Sequence, residues 1–396
     1  MIFDIDRVYI ASITAGVTVA LLAAVLAWSQ RGVTPTRVTL SLFFCAFAAS
    51  ELDTLSWILT QSMSPWAQAS VDMVGFVANF CLGPLFLLYV RELTGVSQSE
   101  RDRNQTWHFL LPIMAAFFYL VGVFLRSGVI FSTPSDPRDF GWVQLGFTLF
   151  SLALVVQWAV YVVWVLRLQA QHIRRLKQHF ASTENLELRW IVGLAGALGI
   201  YVFQTLIGEV LTLLGMRDPV GPLLDSALVL LVVSSLALWV LRPAPDLEAA
   251  ATAMNLAGTA PERKYEKSAL SADQAGRIAR KLRRAMEAER LYRNPNLTLS
   301  QLAQQIGVSQ NYVSQTLNQT LDQSFFEFVN DWRVREAIPL VVAGQSTILA
   351  IAYEVGFNSR SSFYASFKRV TGMTPSAYKT SGARSTPLLA SRVEEP

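Results

Sequence analysis

Long apolar runs separated by short polar segments occupy the first two thirds of the chain. A helix needs about 20 consecutive apolar residues to cross the hydrocarbon core of a bilayer. Seven runs approach or exceed that length, which favours transmembrane helices over the buried helices of a soluble bundle. The runs are Val8–Trp28, Val38–Thr60, Gln68–Val90, Trp107–Leu125, Gly141–Leu166, Trp190–Leu214 and Val220–Leu241.

The pattern changes after residue 242. Proline, alanine and mixed charge predict a flexible linker over residues 243–270. Short amphipathic segments then predict a compact helical domain over 271–380, followed by a disordered tail at 381–396. The expected fold is all-α, with a seven-helix transmembrane domain at residues 1–242 and a helical domain behind it. Three capping boxes mark helix starts in that domain, at Ser271–Gln274, Thr298–Gln301 and Ser324–Glu327.

Charge separates the two parts of the chain. Hydrophobic residues make up 52% of the sequence and charged residues 16%, which is low for a soluble protein. The segment from Glu262 to the end carries a net charge of +6, and the remainder carries −2. The basic excess therefore lies in the last third, where it can attract phosphates.

Basic residues in the loops predict the orientation of the bundle. The loops after the first, third and fifth runs contain ten Lys and Arg residues, and the opposite side contains four. Cytoplasmic loops carry the excess of such residues. The N-terminus is therefore expected outside and the C-terminal third in the cytoplasm.

The stretch from Asn296 to Gln319 predicts a first helix-turn-helix unit. Gly307 favours a left-handed turn after a short helix, and Ser309 is placed to cap the next one. Amides and hydroxyls on the outer face of this second helix can donate to and accept from base edges in the major groove. Its outer residues include Asn311, Ser314 and Gln315.

A second unit repeats this plan from Ser346 to Gly372. Gly356 makes the turn, Asn358 or Ser359 caps the following helix, and Phe363 and Phe367 hold it down. Arg360 near the helix start can bind guanine bidentately. The outer face comprises Arg360, Ser361, Tyr364, Ala365 and Lys368, and Lys368 with Arg369 suits phosphates better.

From Ala352 to Tyr378 the sequence reads AxEVGFxxxSxFxxxFKRxTGxTPxxY, which resembles the signature of the AraC family. The resemblance extends over about Leu291 to Lys379 and implies seven helices, with two helix-turn-helix units joined by a long helix on double-stranded DNA. It implies base contacts by Asn311, Ser314, Gln315, Arg360, Ser361 and Ala365. Ala365 departs from a position that is often polar, and Pro339 is expected to interrupt and bend the connecting helix.

Acidic residues within the apolar runs suggest a sensing site. Such residues are costly in a membrane and are usually functional. With the predicted orientation, all of them fall in the outer half, where they can line a pocket for a cationic or polar ligand, or sense protons or metal ions. For Asp72, Glu209 and Asp225, the alternative is that their side chains extend to the membrane–water interface. The acidic residues are Glu51, Asp53, Asp72, Glu209 and Asp225.

Enzymatic activity and cofactors are not expected. Metalloprotease, nucleotide-binding and kinase motifs are absent from the sequence, and the three histidines have no metal-ligand spacing. The two cysteines, Cys45 and Cys81, lie inside apolar runs and read as small buried hydrophobic residues.

Together these features predict a multi-pass regulator of transcription in the bacterial inner membrane. A signal at the bundle is expected to change DNA engagement by the C-terminal domain, and two copies can occupy repeated half-sites as a homodimer. Two alternatives stay open. One is a receptor or transporter with a secondary DNA- or protein-binding domain, and the other is an interaction protein that signals to another regulator.

Overall fold

The protein was analysed as a computed structural model that describes ten segments of the chain. Within them the fold is helical without strands, apart from an isolated antiparallel bridge between Phe180 and Thr298. Two compact units form, the first from Met1–Ala170 and Leu188–Ala244, the second from Gln171–Glu187 and Pro245–Pro396. The described residues are 5–29, 34–59, 65–94, 106–130, 141–184, 186–188, 190–214, 216, 221–240 and 270–381.

A helix occupies each of the seven apolar runs. These are α1 (Ile5–Ser29), α2 (Thr34–Leu59), α3 (Pro65–Leu93), α4 (Leu110–Ile130), α5 (Gly141–His179), α6 (Trp190–Leu213) and α7 (Gly221–Val240). By length and composition, four described stretches are able to cross a membrane. These are Val8–Ser29, Ala69–Leu93, Thr148–His179 and Trp190–Gly208. That any of the seven helices crosses a membrane stays a prediction.

The helices of unit one pack through aromatic and small residues and leave apolar side chains outside. Phe43 on α2 packs against Phe86 on α3, with ring centroids 5.9 Å apart. Gly83 lets α5 approach α3 closely, because a Cβ there would lie 2.6 Å from the Tyr161 ring. On the outer surface, Phe117 is 68% exposed. Outward-facing large apolar side chains are typical of a surface that contacts lipid.

Seven α-helices lie in the described part of unit two beyond residue 270. They are α8 (Ala272–Glu289), α9 (Leu299–Gln305), α10 (Gln310–Gln315), α11 (Phe325–Ala343), α12 (Ile348–Glu354), α13 (Arg360–Thr371) and α14 (Pro375–Thr380). The three capping boxes are confirmed, since each hydroxyl accepts from the backbone N–H three residues on and the Gln or Glu side chain accepts in return.

Two hydrophobic clusters, both reached by α11, form the core of unit two. Phe325, Phe328 and Val329 belong to the cluster beneath the first helix-turn-helix unit. Val334, Ala337 and Val341 belong to the cluster beneath the second unit. One continuous helix, α11, therefore links the two helix-turn-helix units through side chains on its buried face.

Pro339 does not interrupt α11, contrary to the expectation from the sequence, because the helix runs unbroken from Phe325 to Ala343. Proline removes one backbone donor. Pro339 lies on the exposed face, where water can satisfy the carbonyl that loses its partner.

Residues 171–187 belong to unit two although they precede α6 in the chain. They comprise the last two turns of α5 and the connection that follows it. The predicted linker at 243–270, except for Leu270, and the predicted tail, except for Ser381, lie outside the described residues.

Candidate nucleic-acid interface

The first helix-turn-helix unit consists of α9, a turn at Gly307 and α10. Gly307 has a φ of 63°, as the prediction of a left-handed turn requires. Helix α10 continues into a π-helical turn, Thr316–Thr320. Val313 of α10 and Leu317 of the π-helical turn are buried. The N-cap of α10 is Ser309, whose side chain makes no capping hydrogen bond.

The predicted readers of the first unit lie on one helix but differ in exposure. Asn311 is exposed, and Ser314 and Gln315 are half-buried. Ser314 Oγ accepts from the Asn318 amide at 3.3 Å, and the Gln315 amide donates to Gln319 at 2.9 Å. The outer face therefore presents amide and hydroxyl groups that form local hydrogen bonds with one another.

In the second helix-turn-helix unit, Ser359 rather than Asn358 caps α13, the helix that carries the predicted base readers of this unit. The Ser359 Oγ accepts from the Ser362 N–H at 3.2 Å. The Asn358 amide instead donates to the Pro295 carbonyl at 3.3 Å and to the Asn296 side-chain oxygen at 3.2 Å. Asn358 thus connects the second unit to the loop that precedes the first.

Arg360 begins α13 on its exposed face. Its guanidinium lies 4.9 Å from the centre of the Tyr364 ring and donates to the phenol oxygen at 3.2 Å. Hydrogen bonds from Ser376 and Arg360 lower the pKa of Tyr364. Ser361, Ala365 and Lys368 are exposed on the same helix. Stacking on Tyr364 orders a long side chain that is otherwise free to rotate.

Arg369 forms an internal ion pair. Its Nη2 lies 2.5 Å from an oxygen of Asp331 on α11. The Asp331 carboxylate also accepts from the Gln323 amide at 2.9 Å. Arg369 therefore connects α13 to α11, and both Arg369 and Lys368 are exposed.

Arg333 is the most fully buried cation of the described chain. Its side chain is 0% exposed and contacts backbone from several parts of unit two. Nε donates to the Tyr292 carbonyl at 2.7 Å, and Nη2 donates to the Asn294 carbonyl at 2.9 Å. Nη1 donates to the side-chain oxygen of Asn330 at 3.0 Å and to the Ala181 carbonyl at 3.4 Å. Arg333 lies within the stretch of about Leu291 to Lys379 that resembles the AraC family, but the sequence does not predict its burial.

Sequence reasoning missed residues 180–184 altogether. Ala181 donates through its N–H to the Leu297 carbonyl at 3.1 Å. Its side chain is 1% exposed and belongs to the first hydrophobic cluster. Main-chain atoms and a small side chain make these contacts, so no motif in the sequence predicts them.

The predicted sensing acids lie in unit one, where two of them act on the same pair of tyrosines. Glu51 on α2 and Asp225 on α7 both interact electrostatically with Tyr9 on α1 and with Tyr201 on α6. Asp72 is half-buried on α3. The side chains of Asp53 and Glu209 lie outside the described part of the structure. Among the residues that are described, no group of three or more His, Cys, Asp and Glu side chains is arranged to hold a metal ion.

Part of the chain is similar to known proteins. Residues 302–381 match the family described as Helix-turn-helix domain. Over 91 residues, the chain is 33% identical to an AraC-like transcription regulator from Streptomyces lividans and 32% identical to one from Streptomyces antibioticus. Each match covers 22% of this chain and 30% of the relative.

An uncharacterised HTH-type transcriptional regulator from Staphylococcus aureus (strain COL) is 33% identical over 89 residues, which are 22% of this chain and 12% of that protein. The C-terminal domain of AraT, a response regulator from Geobacillus stearothermophilus, is 26% identical, with a TM-score of 0.24, over 29% of this chain and 88% of that one. The chain thus spans less than a third of the length of the Streptomyces and Staphylococcus relatives. Its C-terminal region, residues 302–381, is a helix-turn-helix domain of the AraC type.

Proposed function

We propose that this protein is a membrane-anchored transcription regulator that binds specific DNA sequences through its two helix-turn-helix units. The observation that carries the proposal is the pair of outer helices, α10 and α13, which one buried helix holds in a single domain. Asn311 and Arg360 are exposed at the starts of these helices. In helix-turn-helix proteins, such positions contact base edges in the major groove.

The anchoring rests on unit one. Four described helices are long and apolar enough to cross a membrane, and several expose large apolar side chains. In water, an outer surface of this kind would lead to association, whereas lipid accommodates it. A bundle of seven crossings, with the N-terminus outside, fits the loop charges best.

Contacts within unit two support a common side for the connection after α5 and the DNA-binding domain, whereas the loop charges alone decide which side that is. The connection at residues 180–184 packs with the DNA-binding domain, so the two share one side of the membrane. The excess of basic residues in the loops predicts that this connection lies in the cytoplasm. The location that we propose is the bacterial inner membrane, because a DNA-binding domain on its cytoplasmic side has DNA within reach.

The bundle is proposed to sense a signal, either a cationic or polar ligand or an ion. Glu51 and Asp225 act electrostatically on the same two tyrosines, so charged and polar groups of four helices influence one another there. A ligand that binds one arrangement of these helices better than another shifts the population toward that arrangement. The proposal includes no catalytic step and no cofactor, and it allows a homodimer to occupy repeated half-sites.

The decisive experiment maps chromosomal binding of the full-length protein in its native membrane. We expect a small set of sites that share a sequence motif. The matched control is the full-length double variant Asn311→Ala with Arg360→Ala, which should lose these sites while remaining in the membrane.

Identical maps for both proteins would contradict base reading by these two residues. Substrate uptake by purified protein in vesicles, together with no specific DNA sites, would instead identify a receptor or transporter. Unchanged target transcription in the Arg360→Ala variant would favour an interaction protein.

A further inference from the structure

The connection after α5 is anchored as an integral part of the DNA-binding domain. Phe180 forms an antiparallel bridge with Thr298, which caps α9. The Ser182 hydroxyl donates to the Pro295 carbonyl at 2.8 Å. The Ala181 carbonyl accepts from the buried side chains of Asn330 and Arg333, each at 3.4 Å. A loop that only joined two helices would lie on the surface and would lack such contacts.

The two ends of this segment contact both reading helices. His179 Nδ1 lies 3.3 Å from the side-chain amide of Gln310, the first residue of α10. One carboxylate oxygen of Glu184 accepts from the Ser359 hydroxyl at 3.3 Å. Each contacted residue immediately precedes a predicted base reader, Asn311 or Arg360.

The position of Glu184 matters because of its charge. Ser359 is the N-cap of α13, a helix of 12 residues. The N-terminus of a helix favours an anion, and DNA offers phosphates to the same end of a reading helix. Glu184 also interacts favourably with the Arg333 guanidinium. A carboxylate held there opposes an approaching phosphate by like-charge repulsion.

We propose that residues 179–184 form an autoinhibitory strap, anchored at Phe180–Ser182 and closed by Glu184 against the start of α13. With the strap closed, the domain has low affinity for DNA. Because the segment continues directly from α5, a signal that shifts the end of this helix draws Glu184 away and removes its negative charge from the start of α13. The inference rests on the proposed function in DNA binding.

Charge removal at Glu184 tests the strap in the full-length protein reconstituted in lipid nanodiscs. The Glu184→Gln variant keeps an acceptor for Ser359 but loses the negative charge. Its dissociation constant for a mapped operator fragment should fall on the order of threefold to tenfold. The matched control is Glu287→Gln, which removes the same charge from an exposed position on α8 and should leave the constant nearly unchanged.

A reversible crosslink tests the closed state directly. In a background with Cys45→Ala and Cys81→Ala, Glu184→Cys and Ser359→Cys are joined by a reducible methanethiosulfonate crosslinker. The crosslinked protein should bind the operator about tenfold more weakly than the same protein after reduction. Each single-cysteine variant serves as a control and should not respond to the reagent in this way.

The outcomes separate the two proposals. Equal affinities for Glu184→Gln and Glu287→Gln, or for the crosslinked and reduced protein, overturn the strap and leave DNA binding intact. If the unaltered chain and every variant, crosslinked or reduced, lack specific affinity for DNA, the proposed function falls and the strap falls with it.

Discussion

Arg333 and Tyr292 are joined at the centre of the DNA-binding domain, where the guanidinium Nε donates to the Tyr292 carbonyl at 2.7 Å. Burial lowers the pKa of Arg333 to about 10, which leaves it charged at neutral pH. Gly356 from the second unit approaches the same carbonyl, since a Cβ there would lie 2.7 Å from it. The long helix and the second helix-turn-helix unit therefore converge on one backbone oxygen in the segment that precedes α9.

Replacing Arg333 should destabilise the domain strongly. The Arg333→Met variant leaves the carbonyls of Tyr292 and Asn294 buried without their donors. We expect a cost of about 1 to 3 kcal/mol for each of these carbonyls, the range for a buried polar group that loses its hydrogen-bond partner. Native-state proteolysis of the full-length protein in detergent reports this cost as faster cleavage within unit two.

The control for this substitution is Arg335→Met on the same helix. Arg335 is half-buried and lies 5.0 Å from the centre of the Trp332 ring. Its loss should cost about 0.5 to 1 kcal/mol. Equal protease sensitivity of the two variants would show that the Arg333 contacts contribute little.

Gly356 provides a second test of the same convergence. An alanine there faces the carbonyl oxygens of Tyr292 and Arg293 at 2.7 and 2.8 Å, and its φ of 98° is unfavourable for a side chain. Gly356→Ala should therefore exceed the cost of about 1 kcal/mol that a left-handed backbone alone imposes. The measurement is again protease sensitivity.

Gly372 is the matched control for that prediction. Its φ is 77°, but a Cβ there meets nothing within 4 Å. Gly372→Ala should thus pay only the backbone cost of about 1 kcal/mol. If the two alanine variants prove equally stable, the close approach of Gly356 to Tyr292 is not a constraint.

Features that depend on local chemistry could be predicted from the sequence. The three capping boxes, the left-handed turns at Gly307 and Gly356, and the inward Phe363 and Phe367 all follow from spacing and from the preferences of single residue types. The helices of the first helix-turn-helix unit and those of the apolar runs were predictable for the same reason.

Features that depend on long-range contacts could not be predicted. Ala181 and Asn330 are 149 positions apart, and the contact uses a backbone carbonyl that any residue possesses. Arg369 appeared suited to phosphate, but its partner Asp331 is 38 positions away on another helix. Charge type cannot identify Asp331, because only the fold brings this carboxylate beside Arg369, and the phosphate contact of Arg369 stays a prediction.

Arg360 should determine part of the DNA specificity. Removing its side chain in Arg360→Ala should cost about 1 to 3 kcal/mol in binding and relax the preference at one base position. The measurement is selection of bound sequences from a random library by the full-length protein.

Lys368 is the comparison, because it is exposed on the same helix but suits a phosphate. Lys368→Ala should weaken binding to all sequences alike and lower the salt dependence by about one unit of slope. Unaltered base preferences in Arg360→Ala would remove this residue from the set of readers.

Acid should weaken the start of α11 through Glu327. Burial raises the pKa of this carboxyl, but hydrogen bonds from Ser324 and the positive charges of Arg369 and Lys177 outweigh it, and the net pKa is lowered. A folded-state pKa below the unfolded value means that the stabilisation is present above the unfolded pKa, about 4.3, and disappears as pH falls through the folded pKa.

The Glu327→Gln variant isolates this effect, since glutamine keeps the capping box but does not titrate. Hydrogen exchange of residues 325–343, corrected for its intrinsic pH dependence, should accelerate on acidification in the unaltered protein more than in Glu327→Gln. Parallel profiles would assign the acid response to other groups.

The acids of unit one yield a prediction about sensing. Glu51 and Asp225 interact with both Tyr9 and Tyr201, so a change of charge at either acid should alter how α1, α2, α6 and α7 are held together. We expect Glu51→Gln and Asp225→Asn to shift the response of a target-gene reporter to external pH or cations, while operator affinity of the purified protein without signal changes little. Asp72→Asn on α3 is the control, because Asp72 is not among the charges that act on those two tyrosines. Reporter curves that stay the same for Glu51→Gln and Asp225→Asn at every pH and cation tested would exclude this cluster from signal detection.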